Sequence, residues 1–294
     1  MYDINHIYEA KSVEDAVRLR MEQPQAIIIA GGSDLLISIR AGDLAGCDLI
    51  SIYMIDELRG VSLDDDETIR IGSLTSFAAL TKDEIIQKRM RVLGEAADKV
   101  GGPQIRNIGT IGGNTCNGVT SADTASTLMA YDAFIELTGS EGKRLVPIEE
   151  FYLGAKRVDL RPDEIQTAIL IRPESYQGYE GYYYKYAMRS AMDIATSGCS
   201  VNVKLSEDKK TIVDARICYG VAGPIPMRTR SAEQAVKGLP VSKETVEAFA
   251  AGALQDVNPR TSWRATKEFR LHIQGELARR CLTESINRAG GIWS

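Results

Sequence analysis

Five glycines fall among the fourteen residues Gly101-Gly-Pro-Gln-Ile-Arg-Asn-Ile-Gly-Thr-Ile-Gly-Gly-Asn114, with one proline and one isolated Arg106. Apolar residues recur only at Ile105, Ile108 and Ile111. A spacing of three does not give the alternation of a strand, and this many glycines weaken a helix. Such a backbone is shaped to approach something closely. Without a Cβ, Thr110-Ile-Gly-Gly-Asn114 is free to turn several N–H groups toward one anion. A second stretch has the same character. Ala26-Ile-Ile-Ile-Ala30 reads as a short buried strand running into Gly31-Gly-Ser-Asp34 and then Leu35-Leu-Ile-Ser-Ile39. Strand, glycine turn and apolar element is the layout of a phosphate-cradling loop. The ordinary role of either Gly-Gly alone is a tight turn. Two such loops suit a ligand with two adjacent phosphates.

Bulk properties narrow the field. The chain of 294 residues has a prior of two domains, and its 44% hydrophobic content supports ordinary cores. A net charge of −5 argues against a nucleic-acid binder. The first residues, Met1-Tyr-Asp-Ile-Asn-His6, have no signal-peptide pattern, and no apolar run reaches bilayer length, so a cytoplasmic protein with no membrane contact is expected. The five cysteines (Cys47, Cys116, Cys199, Cys218 and Cys281) form no CxxC, which argues against a zinc ribbon or an iron–sulfur cluster in this chain. Cys116 alone lies beside a glycine loop. With two histidines and no GxSxG, Walker A or GxGxxG, hydrolase, P-loop and Rossmann readings lose their usual support.

Along the chain, Ser12 caps a helix to about Glu22, and 48–52 is a strand. Residues 68–74 alternate as a strand, Ser76 caps a short helix, and Thr81-Lys-Asp-Glu84 fits a capping box for a helix to about Met90. Another helix precedes Gly101. A helix over 123–131, a hairpin over 133–137 and 143–146, and a strand over 164–171 follow. Residues 174–181 lack periodicity and mark a boundary. Beyond it, Tyr182, Tyr184 and Tyr186 share one face of a strand, while Tyr183 and Lys185 share the other. Strands over 195–205 and 212–221 precede three helices, at 231–237, 242–255 and about 263–289, the last closed by Gly290. Asp34 reads as a cap for the element at Leu35 or as a support for the glycine loop, because an acid near phosphates repels them.

Ala30-Gly-Gly-Ser-Asp-Leu35, the run Ile105 to Asn114, and Asp123 nine residues on resemble the FAD-binding subunit of bacterial molybdenum hydroxylases. Tyr184-Lys-Tyr-Ala-Met-Arg189, Met192-Asp-Ile-Ala195 and Arg264-Ala-Thr-Lys-Glu-Phe-Arg270 extend the resemblance to the second domain and the last helix. Asn114-Thr-Cys-Asn-Gly-Val-Thr-Ser-Ala-Asp123 is most similar to the separate FAD subunits of xanthine dehydrogenases. The resemblance implies an α+β chain. Residues 1–175 would form a vanillyl-alcohol-oxidase-type FAD-binding domain with subdomains of about 1–55 and 56–175. Residues 176–294 would form a C-terminal α/β domain, a small antiparallel sheet with helices, closing over the flavin. Ile27, Ile28, Ile29, Ala30, Gly31, Gly32, Ser33 and Asp34, with Thr110, Ile111, Gly112, Gly113 and Asn114, would line the diphosphate and ribityl chain. Asp123 would bond a hydroxyl-bearing part of the cofactor, Gln166 would contact it through backbone, and Lys185 would lie near the isoalloxazine as the catalytic residue. Arg189 and Asp193, on the loop after Lys185, would help gate or bind the nicotinamide. Electrons would arrive from [2Fe–2S] clusters of a small partner subunit, after chemistry at molybdopterin on a large one, and leave as hydride to NAD. The resemblance places no metal in this chain. A free-standing NAD(P)H-dependent flavin reductase and a flavin-free scaffold are the alternatives.

Overall fold

In the computed structural model, which describes residues 2–294, the chain starts with a parallel three-stranded sheet. Strand β1 (Ile4–Glu9), helix α1 (Val13–Glu22), β2 (Ile27–Ile29), α2 (Leu35–Ala41) and β3 (Cys47–Ser51) follow in sequence. The strand order is β1-β3-β2, so β2, which feeds the first glycine loop, is an edge. Ser12 caps α1 as expected, its Oγ accepting from Asp15 N at 3.1 Å. β1 escapes sequence reading because it is largely exposed and shows no apolar alternation. The unit closes its core with Ala16, Val17, Ile50 and Ile52 against Leu58, Leu74 and Ile165 from the elements that follow.

The second unit comprises β4 (Val61–Leu63), β5 (Ile69–Gly72), α3 (Phe77–Lys82), α4 (Glu84–Arg89), α5 (Arg91–Asp98), α6 (Pro103–Ile108), α7 (Ile111–Cys116), α8 (Asp123–Ala130), β6 (Phe134–Gly139), β7 (Gly142–Pro147), α9 (Ile148–Phe151), β8 (Tyr152–Gly154), β9 (Arg157–Val158) and β10 (Ile165–Ile171). Its antiparallel sheet runs β4-β5-β10-β6-β7. Arg70 on β5 reaches across β10 to grip Glu136 on β6 with two bonds of 2.7 and 2.9 Å. The capping box expected at Thr81 is corrected. Thr81 lies inside α3, donating to Phe77 O, and Asp83 caps α4 by accepting from Ile85 N and Ile86 N. A carboxylate one residue before the helix outcompetes the hydroxyl three before it, because it reaches two free N–H groups at once.

After α10 (Pro173–Tyr176) come β11 (Glu180–Tyr186), β12 (Ser197–Leu205), β13 (Ile212–Gly220), β14 (Met227–Arg228), α11 (Arg230–Val236), α12 (Lys243–Asp256) and α13 (Lys267–Arg288). The aperiodic boundary segment therefore holds most of one helical turn and the first two residues of a strand. The four strands pair antiparallel in chain order. One face, with Val201, Ile217 and Tyr219, packs on Phe249 of α12 and Leu277 and Leu282 of α13. The other face lies on the second unit, where Tyr183 and Cys218 join the core of Leu93, Leu128 and Met129. All eight residues of α8 are buried. Asn202 Nδ2 donates to Ala130 O at 3.1 Å, and Arg228 donates to Met129 O and to Asp132 while also gripping Glu233. The C-terminal sheet is thus fixed to α8 through buried polar bonds.

Breaking a buried pair costs more than never having it, because the remaining charge stays in the interior. Glu233→Ala leaves Arg228 with Asp132 as its sole carboxylate partner and is expected to lower unfolding stability by about 2 kcal/mol, measured by urea titration. At Glu136, burial raises the carboxyl, but Arg70 and Thr167 outweigh it and hold it at about 2, below the ordinary 4.5. A depressed acid stabilises the fold above pH 4.5, and that contribution fades as pH falls toward 2. Melting temperatures across that window should fall more steeply for the wild type than for Glu136→Gln.

Candidate functional site

The two glycine stretches meet. A Cβ built on Gly31 would lie 1.8 Å from the carbonyl oxygen of Ile108 and 2.7 Å from its carbon, so only glycine permits this backbone-on-backbone contact. Gly32 follows with φ of +68°, the left-handed region glycine favours. The N–H groups of Gly31, Gly32, Ser33 and Asp34 donate to no acceptor among the described residues, whereas Leu36 N returns to Gly32 O at 3.0 Å. Four consecutive free donors at the carboxyl end of a parallel strand, leading into a helix, are the backbone arrangement that suits an anion. Asp34 sits at the cap position of α2, but its side chain accepts no cap bond and is exposed, which corrects the capping reading. Its backbone N–H belongs to the donor row. Ile27, Ile28, Ile29 and Ala30 are half-buried and lead the chain into that row.

The second stretch behaves differently from its sequence expectation. It is two short helices, α6 and α7, joined at Gly109 and Thr110. Ile111 N donates to Thr75 O at 3.0 Å, Gly112 N to Ser73 O at 2.8 Å, Gly113 N to Thr110 Oγ1 at 3.1 Å and Asn114 N to Thr110 O at 3.0 Å. The expectation that these groups turn toward an anion is therefore overturned. Their glycines serve another close approach: a Cβ on Gly112 would stand 2.5 Å from Ser73 Cβ and 2.7 Å from Ser73 O. The helix penalty of about 1 kcal/mol per glycine is accepted for that contact. What α7 offers outward is the Asn114 side chain, whose Oδ1 takes Thr124 Oγ1 at 2.6 Å and leaves its amide protons to donate elsewhere.

Gln166 lies beneath α7, with 4% of its surface exposed. Its Oε1 accepts from Thr115 Oγ1 at 2.7 Å and from Cys116 Sγ at 3.0 Å. It supports the glycine helix from below. Burial pushes the Cys116 thiol up to about 12, so it is no reactive thiolate.

Asp123 opens α8, where a helix N-terminus favours a carboxylate. Two residues of β11 converge on it. Lys185 Nζ donates to Asp123 Oδ2 at 2.7 Å and to Lys99 O at 2.9 Å, and Tyr183 OH donates to Asp123 Oδ1 at 2.8 Å. Burial raises the Asp123 carboxyl, against the pull of Lys185 and Tyr183. Burial and the Asp123 charge push the Tyr183 hydroxyl well above its usual range. Strand alternation had put Tyr183 and Lys185 on one face. No residue type signalled that this face meets Asp123, so Tyr183 was missed as a site member. The cluster sits between Lys99, just before Gly101, and Thr124, the partner of Asn114, so it closes both ends of the second glycine stretch. Arg189 and Asp193 pair with each other on the exposed loop beyond.

Two surface grooves of about 360 and 430 Å³ lie elsewhere, along Tyr182, Tyr184 and the outer face of α13. Their charges satisfy one another, Arg280 with Glu276 and Arg279 with Glu247, so the candidate site is the run of free donors at Gly31–Asp34. Among the described residues no group of three or more His, Cys, Asp or Glu is placed to hold a metal ion, and no helix is long and apolar enough to cross a membrane.

With glycine-lined donors, a buried Lys–Asp pair and this architecture of one parallel and two larger antiparallel sheets together, the chain belongs to the family of FAD-binding subunits of molybdopterin dehydrogenases. Residues 2–173 match the FAD binding domain in molybdopterin dehydrogenase, and 182–285 match the CO dehydrogenase flavoprotein C-terminal domain. The chain is 41% identical over 99% of both sequences to the xanthine dehydrogenase FAD-binding subunit of Escherichia coli O157:H7. It is 32% identical to the carbon monoxide dehydrogenase medium chain of Hydrogenophaga pseudoflava, over 95% of this chain and 96% of that one. A solved carbon monoxide dehydrogenase from that organism, lacking the Mo-pyranopterin moiety of its cofactor, superposes with a TM-score of 0.92 at 30% identity, covering 98% of this chain and 99% of that one.

Gly31→Ala drives a methyl into the Ile108 carbonyl and is expected to destabilise the protein by about 2 kcal/mol. Gly154→Ala, where nothing lies within 4 Å, should stay within about 0.5 kcal/mol. Urea unfolding of the two variants checks the contrast.

Proposed function

We propose that this chain is the FAD-carrying electron-transfer subunit of a molybdenum hydroxylase of the xanthine dehydrogenase type. In this reading it takes electrons from [2Fe–2S] clusters on a small partner subunit, downstream of molybdopterin on a large one, and passes them as hydride to NAD. The observation that carries the reading is the row of free N–H groups at Gly31–Asp34, pressed against α6 in a chain of this family. The same reading divides the chain into a cofactor domain of 1–175 and a C-terminal domain of 176–294, and places it in the cytoplasm of the cell, where its free cysteines stay reduced.

The residues fit an FAD. Gly31, Gly32, Ser33 and Asp34 would hold the diphosphate through backbone donors, with the Ile27–Ala30 strand beside it. Thr110–Asn114 would form the opposite wall, contributing the Asn114 amide protons. Gln166 would hold that wall in place from below. The flavin, when bound, supplies the redox chemistry, exchanging electrons singly or in pairs. The chain's own residues position it and set the charge around it. Lys185 spends protons on Asp123 and Lys99 O and keeps a third to offer a developing negative charge on the ring. The Asp123 carboxylate fixes that ammonium, is itself fixed by Tyr183, and keeps lone pairs for a cofactor hydroxyl. Burial around the pair lowers the local dielectric, which magnifies what one positive charge does to the reduced ring. Asp193 holds Arg189 on the rim, where the nicotinamide would approach.

Lys185→Met removes the cation and leaves Asp123 buried with Tyr183 alone. The expected result is a lower flavin reduction potential or weaker flavin retention, read by reductive titration and by flavin absorbance per chain. Unchanged flavin content, potential and NAD reduction rate would contradict the assignment.

A further inference from the structure

Arg270 stands in the first turn of α13, with 3% of its surface exposed. Its guanidinium donates to Thr196 O and, at 2.9 Å, to Ser262 Oγ, while its buried Nε has no partner. No carboxylate among the described residues reaches it. Arg260 and Arg264, on the loop just before α13, likewise form no ion pair among the described residues. Farther along the same helix Arg279, Arg280 and Arg288 each hold a glutamate. In a chain with a net charge of −5, three arginines left together without an acid are a local exception. Burial, and then the charges of Arg260 and Arg264, lower the Arg270 guanidinium from its ordinary value. An uncompensated buried charge is costly unless an anion covers it. Glu268, the nearest acid along the helix, is turned to its own helix N-terminus and Lys267.

The surroundings are apolar and unusually open. Trp263 is 78% exposed, with Arg264 stacked 4.3 Å from its ring centre. Phe269 lies beside Tyr186, with ring centres 6.1 Å apart. Met188, Met192 and Ile194 project from the loop that Arg270 ties down at Thr196, and each is at least half exposed. Tryptophan, methionine and arginine around an apolar centre are the composition of a protein interface. The face is also joined to the cofactor site. Met192 Cγ stands 3.2 Å from where a Gly102 Cβ would be, so the Met188–Ile194 loop bridges the arginine group to the second glycine stretch.

We propose that this face, made of the loop around Trp263, the start of α13 and the Met188–Ile194 loop, docks an acidic segment of the cluster-bearing partner subunit, with a partner carboxylate completing the site of Arg270, Arg260 and Arg264. The identity of the partner rests on the function proposed above. Carboxylates of the acidic segment arriving there offset the three arginines while the partner's apolar surface covers Trp263, Met188 and Met192. Docking also sets the partner against Gly102 and Lys99, beside Lys185.

The test uses the tagged chain co-produced with its partner subunits, comparing wild type, Trp263→Ala, Arg264→Lys and the double variant Arg260→Glu/Arg264→Glu. Iron per flavin and flavin per chain are measured after affinity purification at low and high ionic strength. The proposal expects the double variant to lose iron at least tenfold, Trp263→Ala to lose it at high ionic strength, and Arg264→Lys to keep it, all with flavin per chain unchanged. A double variant that keeps wild-type iron overturns the docking face. So does one that keeps iron but shows a raised KM for NAD, which would make the arginines a nucleotide site. Wild type that carries flavin yet no iron would instead overturn the subunit reading, and the docking face with it.

Discussion

One backbone contact organises the molecule: Gly31 against the carbonyl of Ile108. It joins an edge strand of the small parallel sheet to the helical turn that precedes α7. No side chain takes part, so nothing larger than hydrogen is tolerated and nothing can substitute for closeness. The Gly31–Asp34 amides donate to no acceptor among the described residues, while α6 closes on itself, Gly109 N donating to Ile105 O. The two loops are thus unequal. The first keeps its donors free, and the second spends its donors on Ser73, Thr75 and Thr110 to become a rigid wall.

That inequality gives the C-terminal sheet its role. It is attached to α8 through Asn202, Arg228 and the core around Met129, so it does not swing as an independent lid. Its first strand delivers Tyr183 and Lys185 to Asp123 at the start of α8. A cation, a carboxylate and a phenol are thereby fixed in a low-dielectric corner by two elements, β11 and α8. Preorganised charge of this kind acts on a bound redox group without the protein having to reorganise. On the reading proposed above, the unneutralised arginines beyond the Met188–Ile194 loop would mark where such a subunit meets its electron source.

Much of this was legible in the sequence, for local reasons. Ser12 and Ser76 announced helix starts because capping is a contact within three residues. Period-two patterns gave the hairpin at 134–147 and put Tyr183 with Lys185. Glycine pairs gave the two stretches that touch. What was hidden is what depends on distant partners. The Gly101–Asn114 stretch becomes helical because Ser73 and Thr75 accept its N–H groups, and nothing near it in the chain says so. Asp34 lies where a cap belongs but does not bond. Tyr183 gave no sign of Asp123, sixty residues earlier, and β1 carries no apolar rhythm because most of its side chains face solvent.

The central claim is that one FAD diphosphate sits on the amides of Gly31–Asp34 while α7 stands behind it as a wall. A crystal structure of the flavin-loaded protein tests it most directly, through the distances from the diphosphate oxygens to those four nitrogens. The account predicts hydrogen bonds of about 2.7–3.2 Å to at least two of them, with Ile111 and Gly112 still bonded to Thr75 and Ser73. A diphosphate bound instead to the amides of α7, or lying away from Gly31 altogether, would contradict it.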